Sequence, residues 1–357
     1  MQISLPLIAT GMYDFNVAWG DGSSDTITAF DQAETTHSYS NNSTYVVLIT
    51  GQVSGWSFKD NSHIDPATLV QISQWGGLHL QTSDFFGCEN LHITATDSPD
   101  LANVTSLRDM FAYCTLFDGA LQDWDTSSVT SLRNMFDHAE TFNQDISNWD
   151  VSRVTDLTAT YLFASAFNQD ISNWDVSQVT TFDRTLRSAD SFTQPLNSWD
   201  TSQATSMSWM FKSGGGSHSF NEDIDSWDTS KVVTMSEMFF RAGKFNRVLA
   251  SWDTSSVTEM DGMFRSAWRY DQSLGDWDIS SVTSLSHMFF YASQFNQDLS
   301  AWDISRVTTL NNMFESSNFN QDLSSWTPTS LVSCTYFDNP GCNPPDIVIK
   351  GCVQHCW

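Results

Sequence analysis

The sequence predicts an α/β repeat solenoid of leucine-rich-repeat type, built from short parallel strands and short helices, with a small antiparallel β cap domain at its N-terminus. A phrase of twenty-five residues recurs along the chain, and its clearest copy occupies residues 142–166, FNQDISNWDVSRVTDLTATYLFASA. A fixed period of this length is typical of stacked supersecondary units, each burying its apolar face against the next. A Trp-Asp pair marks each repeat, and its tryptophans are Trp124, Trp149, Trp174, Trp199, Trp227, Trp252, Trp277 and Trp302, then Trp326 without the Asp.

Residues 1–55 differ from the repeats and predict a small antiparallel β-sandwich. Residues 15–19 alternate as a strand does, residues 20–22 (GDG) make a turn, and residues 44–51 (TYVVLITG) form a second strand. The phrases WGDG at 19–22 and HSY at 37–39 resemble those of the polycystic-kidney-disease (PKD) type of domain. Because the segment is short for a complete domain of that kind, we expect it to cap the solenoid.

The remaining chain divides into three parts. Residues 56–103 are transitional and predict N-terminal capping rungs, which are atypical because they close the core. Residues 104–327 hold the regular 25-residue repeats, and residues 328–357 form a Cys-rich C-terminal cap. Within a rung we expect a short strand over residues 145–149 and a short helix capped by Ser152. Phenylalanines such as Phe142 would then return the chain to the next strand.

The phrases FNQDISNWDVS at 142–152 and VTSLRNMF at 129–136 are similar to those of the BspA-like leucine-rich-repeat surface proteins. The order of a WGDG segment, a QWG phrase at 74–76 and a TDSPDL phrase at 96–101 is similar too. The resemblance implies a leucine-rich-repeat-like solenoid on a secreted or surface-exposed protein, associated with adhesion and binding.

Two sets of side chains that recur at the same position in each repeat, which we call ladders, are candidates for a functional role. Repeated tryptophans could stack against sugars if exposed, but strict repetition favours burial, with each indole N–H bonded to a loop carbonyl. The repeated aspartates could hold calcium between rungs, but calcium-binding solenoids usually have Gly-rich turns between their aspartates, which these repeats lack. An Asx-type cap, in which each Asp accepts backbone N–H bonds of its turn, is therefore favoured. These aspartates are Asp125, Asp150, Asp175, Asp200, Asp228, Asp253, Asp278 and Asp303. We therefore predict no metal and no cofactor.

A third ladder consists of asparagines at the mouth of the expected strand. We expect their side-chain amides to bond along the stack and to loop backbone. They are Asn143, Asn168, Asn221, Asn246, Asn296 and Asn320.

The six cysteines lie only at the two ends of the repeat array. This placement indicates disulfides that restrain the end rungs, and hence an oxidising compartment. Cys88 and Cys114 are about one repeat apart, which suits a bond between neighbouring rungs at ~5 Å. Two further bonds are predicted among Cys334, Cys342, Cys352 and Cys356, whose pairing the sequence leaves open; zinc, with His355, is the alternative.

Composition excludes several classes of function. Acids outnumber bases 42 to 15, for a net charge of −27, which argues against nucleic acid and anionic lipid. No apolar run is long enough to insert in a membrane, and the N-terminus lacks the features of a signal peptide, so the export route is not visible. Neither an HExxH motif nor a phosphate-binding Gly loop is present, and we predict no catalytic residues and no enzyme.

We therefore expect a non-enzymatic extracellular protein, on a cell or virion surface, that binds a protein or glycan partner through a rigid solenoid. The alternative is a structural subunit of an extracellular or virion-surface assembly, such as an appendage, fibre or coat, in which self-association is the function. Ice binding is more distant, because the threonines do not form a flat TxT array.

Overall fold

The computed structural model describes residues 1–215, 218–335 and 337. All strands of the described chain lie in its N-terminal part. They are β1 (Gln2–Ser4), β2 (Tyr13–Ala18), β3 (Ser24–Ile27), β4 (Thr36–Ser38), β5 (Leu48–Ser54), β6 (Gln71–Ile72), β7 (Leu78–His79) and β8 (His92–Ile93). Two 3-10 turns, Ala33–Thr35 and Pro66–Thr68, are the helical elements of the described residues.

The central sheet has the order β3-β2-β5-β7, with β2 antiparallel to β3 and β5 and with β7 parallel to β5. The strands β1 and β4 pair antiparallel, and β6 and β8 pair parallel. The strand predicted over residues 15–19 is confirmed as β2, where Phe15 and Val17 are buried and their neighbours are exposed. The second predicted strand, over residues 44–51, lies further along the chain, at Leu48–Ser54. Before it, the Tyr45 ring stacks on Tyr39 with centroids 3.9 Å apart.

The WGDG and HSY phrases form one packing unit. Trp19 is buried, and its indole N–H donates to Asp25 Oδ2 at 2.8 Å. The ring of His37 stacks on Trp19 at 4.8 Å, and the Tyr39 hydroxyl donates to the carbonyl of Trp19 at 2.8 Å. The PKD-like character of this segment and the proposed domain boundaries stay predictions.

The predicted α/β solenoid of leucine-rich-repeat type is wrong. Among the described residues that follow β8, there is neither a helix nor a strand, and each repeat is a succession of turns. Neighbouring repeats are joined through isolated parallel bridges, which begin at Ser106–Ser131 and end at Thr309–Ser333. The strand expected over residues 145–149 and the helix expected after Ser152 are both turns. We call residues 104–335 the repeat stack.

The backbone hydrogen bonds of the turn explain why no helix forms. An α-helix needs each N–H to bond the carbonyl four residues back. Here the N–H groups alternate: Asn134 N–H donates to Thr158 of the next repeat, at 2.9 Å, whereas Met135 N–H donates three residues back, to Leu132, at 3.0 Å. Asn134 and His138 have φ of 54° and 58°, in the left-handed region, which ends each turn before a helix can continue.

The apolar side chains of the repeats form one continuous core with the N-terminal sheets, extending to Phe337. Phe136 stacks on Phe142, six residues further along the chain, at 3.9 Å and on Tyr161, at the position equivalent to its own in the next repeat, at 5.7 Å. Each aromatic residue is therefore buried by its neighbours on both sides, and burial of such a side chain contributes about 2–3 kcal/mol. Stability depends on the stack rather than on any one repeat.

Candidate interaction face

The tryptophan ladder belongs to the core and is not a ligand-binding stripe. Trp149 and Trp174 are each 4% exposed, and their rings stack at 6.4 Å. The indole N–H of Trp149 donates to the carbonyl of Leu121 at 2.9 Å, and that of Trp174 donates to Ile146 at 3.2 Å. The prediction of buried tryptophans bonded to loop carbonyls is confirmed.

The aspartate ladder caps turns, as predicted, although no helix follows. Asp150 Oδ1 accepts the Ser152 hydroxyl at 2.7 Å and the Ser152 N–H at 3.0 Å, and these bonds lower the pKa of Asp150. Asp175 and Asp200 accept the N–H two residues on in the same way. The described residues hold no group of three or more His, Cys, Asp or Glu side chains suited to a metal ion. The expectation of no bound metal and no cofactor stays a prediction.

The asparagine ladder bonds along the stack. Asn143 Oδ1 accepts the N–H of Asn168 in the next repeat at 2.8 Å, and Asn168 Oδ1 accepts that of Thr193 at 2.9 Å. In one repeat Asp271 replaces the asparagine and accepts the N–H of Asn296 at 3.0 Å. The predicted bonding along the stack is confirmed, and these side chains are occupied with the fold.

The predicted Cys88–Cys114 disulfide is absent, and both residues are buried free thiols. The Cys114 thiol donates to the carbonyl of Phe85 at 3.0 Å, so the core satisfies it without a covalent bond. Burial raises the pKa of Cys114 to about 12 and raises the pKa of Cys88 as well. Cys334 is partly buried against the core. Cys342, Cys352, Cys356 and His355 lie outside the described residues, so the pairing of the last four cysteines stays a prediction.

One surface of the repeat stack is not accounted for by these ladders. Most turns contain a buried Leu or Met, a buried Met-Phe pair and a buried Ala, such as Leu132, residues 135–136 and Ala139. Four positions that vary lie between them and are held in this turn by Arg133, Asn134, Asp137 and His138. We call the surface formed by these positions the turn face. Its aromatic and basic members in the described repeats are Arg108, Tyr113, Arg133, His138, Phe163, Arg184, Arg187, Trp209, Lys212, Phe240, Arg241, Arg265, His287, Phe290 and Tyr291.

Cations and aromatic rings pack together across neighbouring repeats of the turn face. The guanidinium carbon of Arg184 lies 4.0 Å from the centroid of Trp209. That of Arg265 lies between two rings, 5.1 Å from Phe240 and 5.0 Å from Phe290. Such cation–π contacts fix a guanidinium over a ring and leave its edge available for hydrogen bonds.

The N-terminal part of the turn face carries a row of rings from successive repeats. Phe86 lies 5.3 Å from Tyr113, Tyr113 stacks on His138 at 4.6 Å, and His138 lies 4.5 Å from Phe163. Tyr113 is 44% exposed, and Tyr291 near the other end of the face is 53% exposed. The face therefore presents aromatic surface to solvent along several repeats.

About half of the basic residues of the chain lie on or against the turn face. Of the fifteen Lys and Arg residues, eight lie on or against the turn face: Lys59, Arg108, Arg133, Arg184, Arg187, Lys212, Arg241 and Arg265. The same positions also hold six acids, Asp109, Asp137, Asp183, Glu237, Asp261 and Glu315, so the charge of the turn face is close to balanced, whereas the chain as a whole has a net charge of −27. An uneven charge distribution of this kind favours an interaction surface over a solvated one.

The backbone at the turn face indicates that bulky side chains are retained at a cost. Tyr113, Phe163 and Trp209 have φ of 63°, 57° and 59°. Left-handed backbone costs a bulky residue about 1 kcal/mol, and Gly or Asn adopts it most readily. The position of Trp209 holds Asn134 and Gly262 in other repeats, and that of Tyr113 and Phe163 holds Ser188 and Ser266. The fold itself therefore requires no large side chain at either position.

A comparison with family models gives three overlapping matches, over residues 81–182, 148–247 and 213–326, to the family described as Mycoplasma protein of unknown function, DUF285. Together these segments cover more than half of the chain. The chain belongs to the DUF285 family. No curated protein and no solved structure matches the chain.

Membership in DUF285 supports the prediction of a repeat family and is consistent with a non-enzymatic repeat protein of the surface type. It does not support the narrower assignment to leucine-rich repeats. The match includes the turn face from Arg108 to Tyr291. Within the described part of this DUF285 chain, no helix is long and apolar enough to cross a membrane.

Sequence reasoning missed the turn face because it followed the positions at which the repeats agree. The informative signal lay at the positions where they differ. Arg184, Trp209 and Arg241 stand between core residues that recur in every repeat, and a comparison of those variable positions alone would have shown their enrichment in Arg and aromatic residues.

Proposed function

We propose that this DUF285 protein is a non-enzymatic surface protein, located outside the cell or on a virion, that binds a protein or glycan partner through the turn face. The observation that carries the proposal is the row of aromatic rings and ring-packed arginines on the turn face, where Tyr113 is 44% exposed and Tyr291 is 53% exposed. Trp, Tyr and Arg are also the residues that dominate binding energy at interfaces.

The repeat stack supplies rigidity. Each turn is bonded to the next repeat through alternate backbone N–H groups, and Asn143 and its equivalents bond adjacent loops. A rigid surface loses little conformational entropy on binding, which favours affinity. The carboxylates of the ladders, such as Asp150, are engaged as turn caps, which agrees with a binding role rather than a catalytic one.

The proposal is tested by removing two exposed rings from the turn face. We compare the wild type with the double variant Tyr113→Ser/Tyr291→Ser on glycan and protein arrays. Trp268→Ser is the matched control, because Trp268 is 38% exposed but does not belong to the turn face. We expect signals to fall roughly tenfold or more in the double variant, and to stay within about twofold in the control.

Equal losses in both variants, or no wild-type signal on either array, would count against binding through this face. The structural alternative, an assembly subunit, predicts a different result: the molar mass from light scattering should rise with concentration in the wild type. Light scattering run beside the arrays therefore separates the two functions.

A further inference from the structure

Four arginines of the turn face lack a carboxylate partner. Lys59 and Arg108 pair with Asp109, Arg133 pairs with Asp156, and Lys212 pairs with Glu237. The other four basic residues of the turn face have no carboxylate oxygen within 4.0 Å of their guanidinium nitrogens in the described structure. They are Arg184, Arg187, Arg241 and Arg265.

This absence is unexpected from composition, because acids outnumber bases 42 to 15. The nearby acids are engaged elsewhere: Asp183 accepts from Ser206 and Ser208, and Asp261 accepts from Ser284. The shielded Nε atoms of Arg187 and Arg265 have no hydrogen-bond acceptor within the described chain. Asp137 and Glu237 act on Arg187 at longer range, but their ion pairs are with His138 and Lys212. The described chain therefore holds these guanidinium groups in place without a direct carboxylate contact.

Aromatic rings hold the guanidinium groups instead. Arg187 lies 5.6 Å from the Phe163 centroid, Arg184 lies 4.0 Å from Trp209, and Arg241 lies 5.2 Å from Phe240. A guanidinium fixed over a ring has lost much of its rotamer freedom before binding, and its free edge matches the two oxygens of a carboxylate.

The spacing of the arginines indicates an extended ligand. Arg187 and Arg265 occupy the same position in turns that are three repeats apart. Hydrogen-bonded neighbours in a parallel stack are about 5 Å apart, so the two guanidinium groups are separated by roughly 15 Å. One small anion cannot bridge that distance, whereas five residues of an extended peptide span about 17 Å.

Two kinds of extended polyanion could supply such oxygens, an acidic polypeptide or an acidic glycan. Sugars bind aromatic residues through the ring face, but here Arg184 covers Trp209 at 4.0 Å and Arg265 lies against both Phe240 and Phe290. The occupied ring faces disfavour a glycan. Arg combined with Trp, Tyr and Phe is the composition of protein interfaces.

We propose that the turn face between Arg184 and Tyr291 binds an acidic segment of another protein, whose carboxylates pair with the unpartnered arginines. This inference rests on the proposed function and specifies its partner class. The net charge of −27 opposes an acidic partner at long range. Binding must therefore come from direct carboxylate–guanidinium contacts at the face, measured at a salt concentration of about 0.15 M, where exposed charges are screened beyond about 8 Å.

The experiment measures the fluorescence anisotropy of labelled poly-L-glutamate of about 20 residues, long enough to span the roughly 15 Å between the arginines, with heparin as the glycan polyanion. Arg187→Gln/Arg265→Gln is the test variant, and Arg153→Gln/Arg306→Gln is the matched control, which changes the net charge equally at exposed positions away from the turn face. We expect poly-glutamate affinity to fall about tenfold or more in the test variant and less than about twofold in the control.

If the melting temperature of the test variant differs from that of the wild type, Arg241→Gln replaces it. Arg241 is exposed, and its contacts are the Phe240 ring and a long hydrogen bond to the Gly214 carbonyl at 3.4 Å. Equal losses in test and control variants, or no binding of poly-glutamate, would overturn the proposal. So would tighter binding of heparin through the same arginines, which indicates a glycan.

A molar mass that rises with concentration in the wild type but not in the test variant would assign the face to a second copy of the chain, and would also overturn the proposal. The proposed function fails separately. If poly-glutamate does not bind but array signals still depend on Tyr113 and Tyr291, the turn face remains the binding surface and only the acidic-protein assignment is wrong.

Discussion

Replacing Tyr161 with Phe should stabilise the protein, although Tyr161 is fully buried. Its hydroxyl has no hydrogen-bond partner in the described structure, and burial raises its pKa well above the ordinary value, so it stays neutral and unsatisfied. The equivalent position holds Phe136 in the preceding repeat, and the two rings stack at 5.7 Å. The stack therefore accommodates phenylalanine at this position.

The expected magnitude follows from two opposing contributions. Leaving a buried hydroxyl unsatisfied costs about 1–3 kcal/mol. Removing one oxygen leaves a void of roughly 10 Å³, which costs only about 0.2 kcal/mol. We therefore expect Tyr161→Phe to stabilise by about 1–2 kcal/mol, or roughly 1–2 °C in melting temperature for a chain of this size.

The adjacent residue provides a control of opposite sign. Thr160 is also buried, but its hydroxyl donates to the carbonyls of Leu157 at 2.8 Å and Leu132 at 3.2 Å. Thr160→Val removes a satisfied hydroxyl and should destabilise by about 1 kcal/mol. Urea and thermal unfolding of both variants measure the two effects. A lower stability of Tyr161→Phe would refute the reasoning, because it would mean that the hydroxyl has a partner, such as a buried water molecule.

Three further predictions concern the ladders and the thiols. Trp174→Ala should destabilise by about 3–5 kcal/mol, because a buried ring stacked on its neighbours is lost, and an unchanged melting temperature would contradict the core assignment. The lowered pKa of Asp150 and of its equivalents means that their stabilisation is complete above the unfolded pKa of about 3.9 and is lost as pH falls through the folded value. The melting temperature should thus be steady from about pH 7 to 5 and decrease below about pH 4. An increase in melting temperature below about pH 4 would contradict the role of these aspartates as turn caps. Cys88 and Cys114 should resist iodoacetamide in the folded protein, and both should react once the protein is unfolded without reductant, as measured by intact mass. If neither reacts after unfolding, the two cysteines form a disulfide and their assignment as free thiols is wrong.

The sequence predicted the stacking period, the buried tryptophans and the aspartate caps because each of these depends on one side chain and its immediate surroundings. It predicted the wrong backbone for the turn. Leu132, Met135, Phe136 and Ala139 are buried at the spacing of one face of a helix. Turns that bond three residues back produce the same spacing, and what distinguishes them, the N–H bonds to the next repeat, is a property of two repeats together.

The candidate site escaped prediction for a related reason. A repeated residue signals a structural role, and the turn face consists of residues that do not repeat. Its residues also become neighbours only through stacking: Arg184 and Trp209 are 25 positions apart in sequence and 4.0 Å apart in space. No local motif encodes such a pair.

The difference between repeated and variable positions also determines which properties of the protein a family match can identify. The side chains that recur stabilise the fold: those of Trp174 and Asn143 bond neighbouring repeats, and that of Asp150 caps its own turn. A change in any of them therefore weakens the fold. The turn-face positions accept Asn134, Gly262 or Trp209 in the same left-handed backbone, so the stack tolerates any of them. A match to DUF285 therefore identifies the scaffold, whereas the partner is specified by side chains that the scaffold does not need. We propose that the arginines without carboxylate partners carry such information, because the described chain packs them on aromatic rings and forms no ion pair with them.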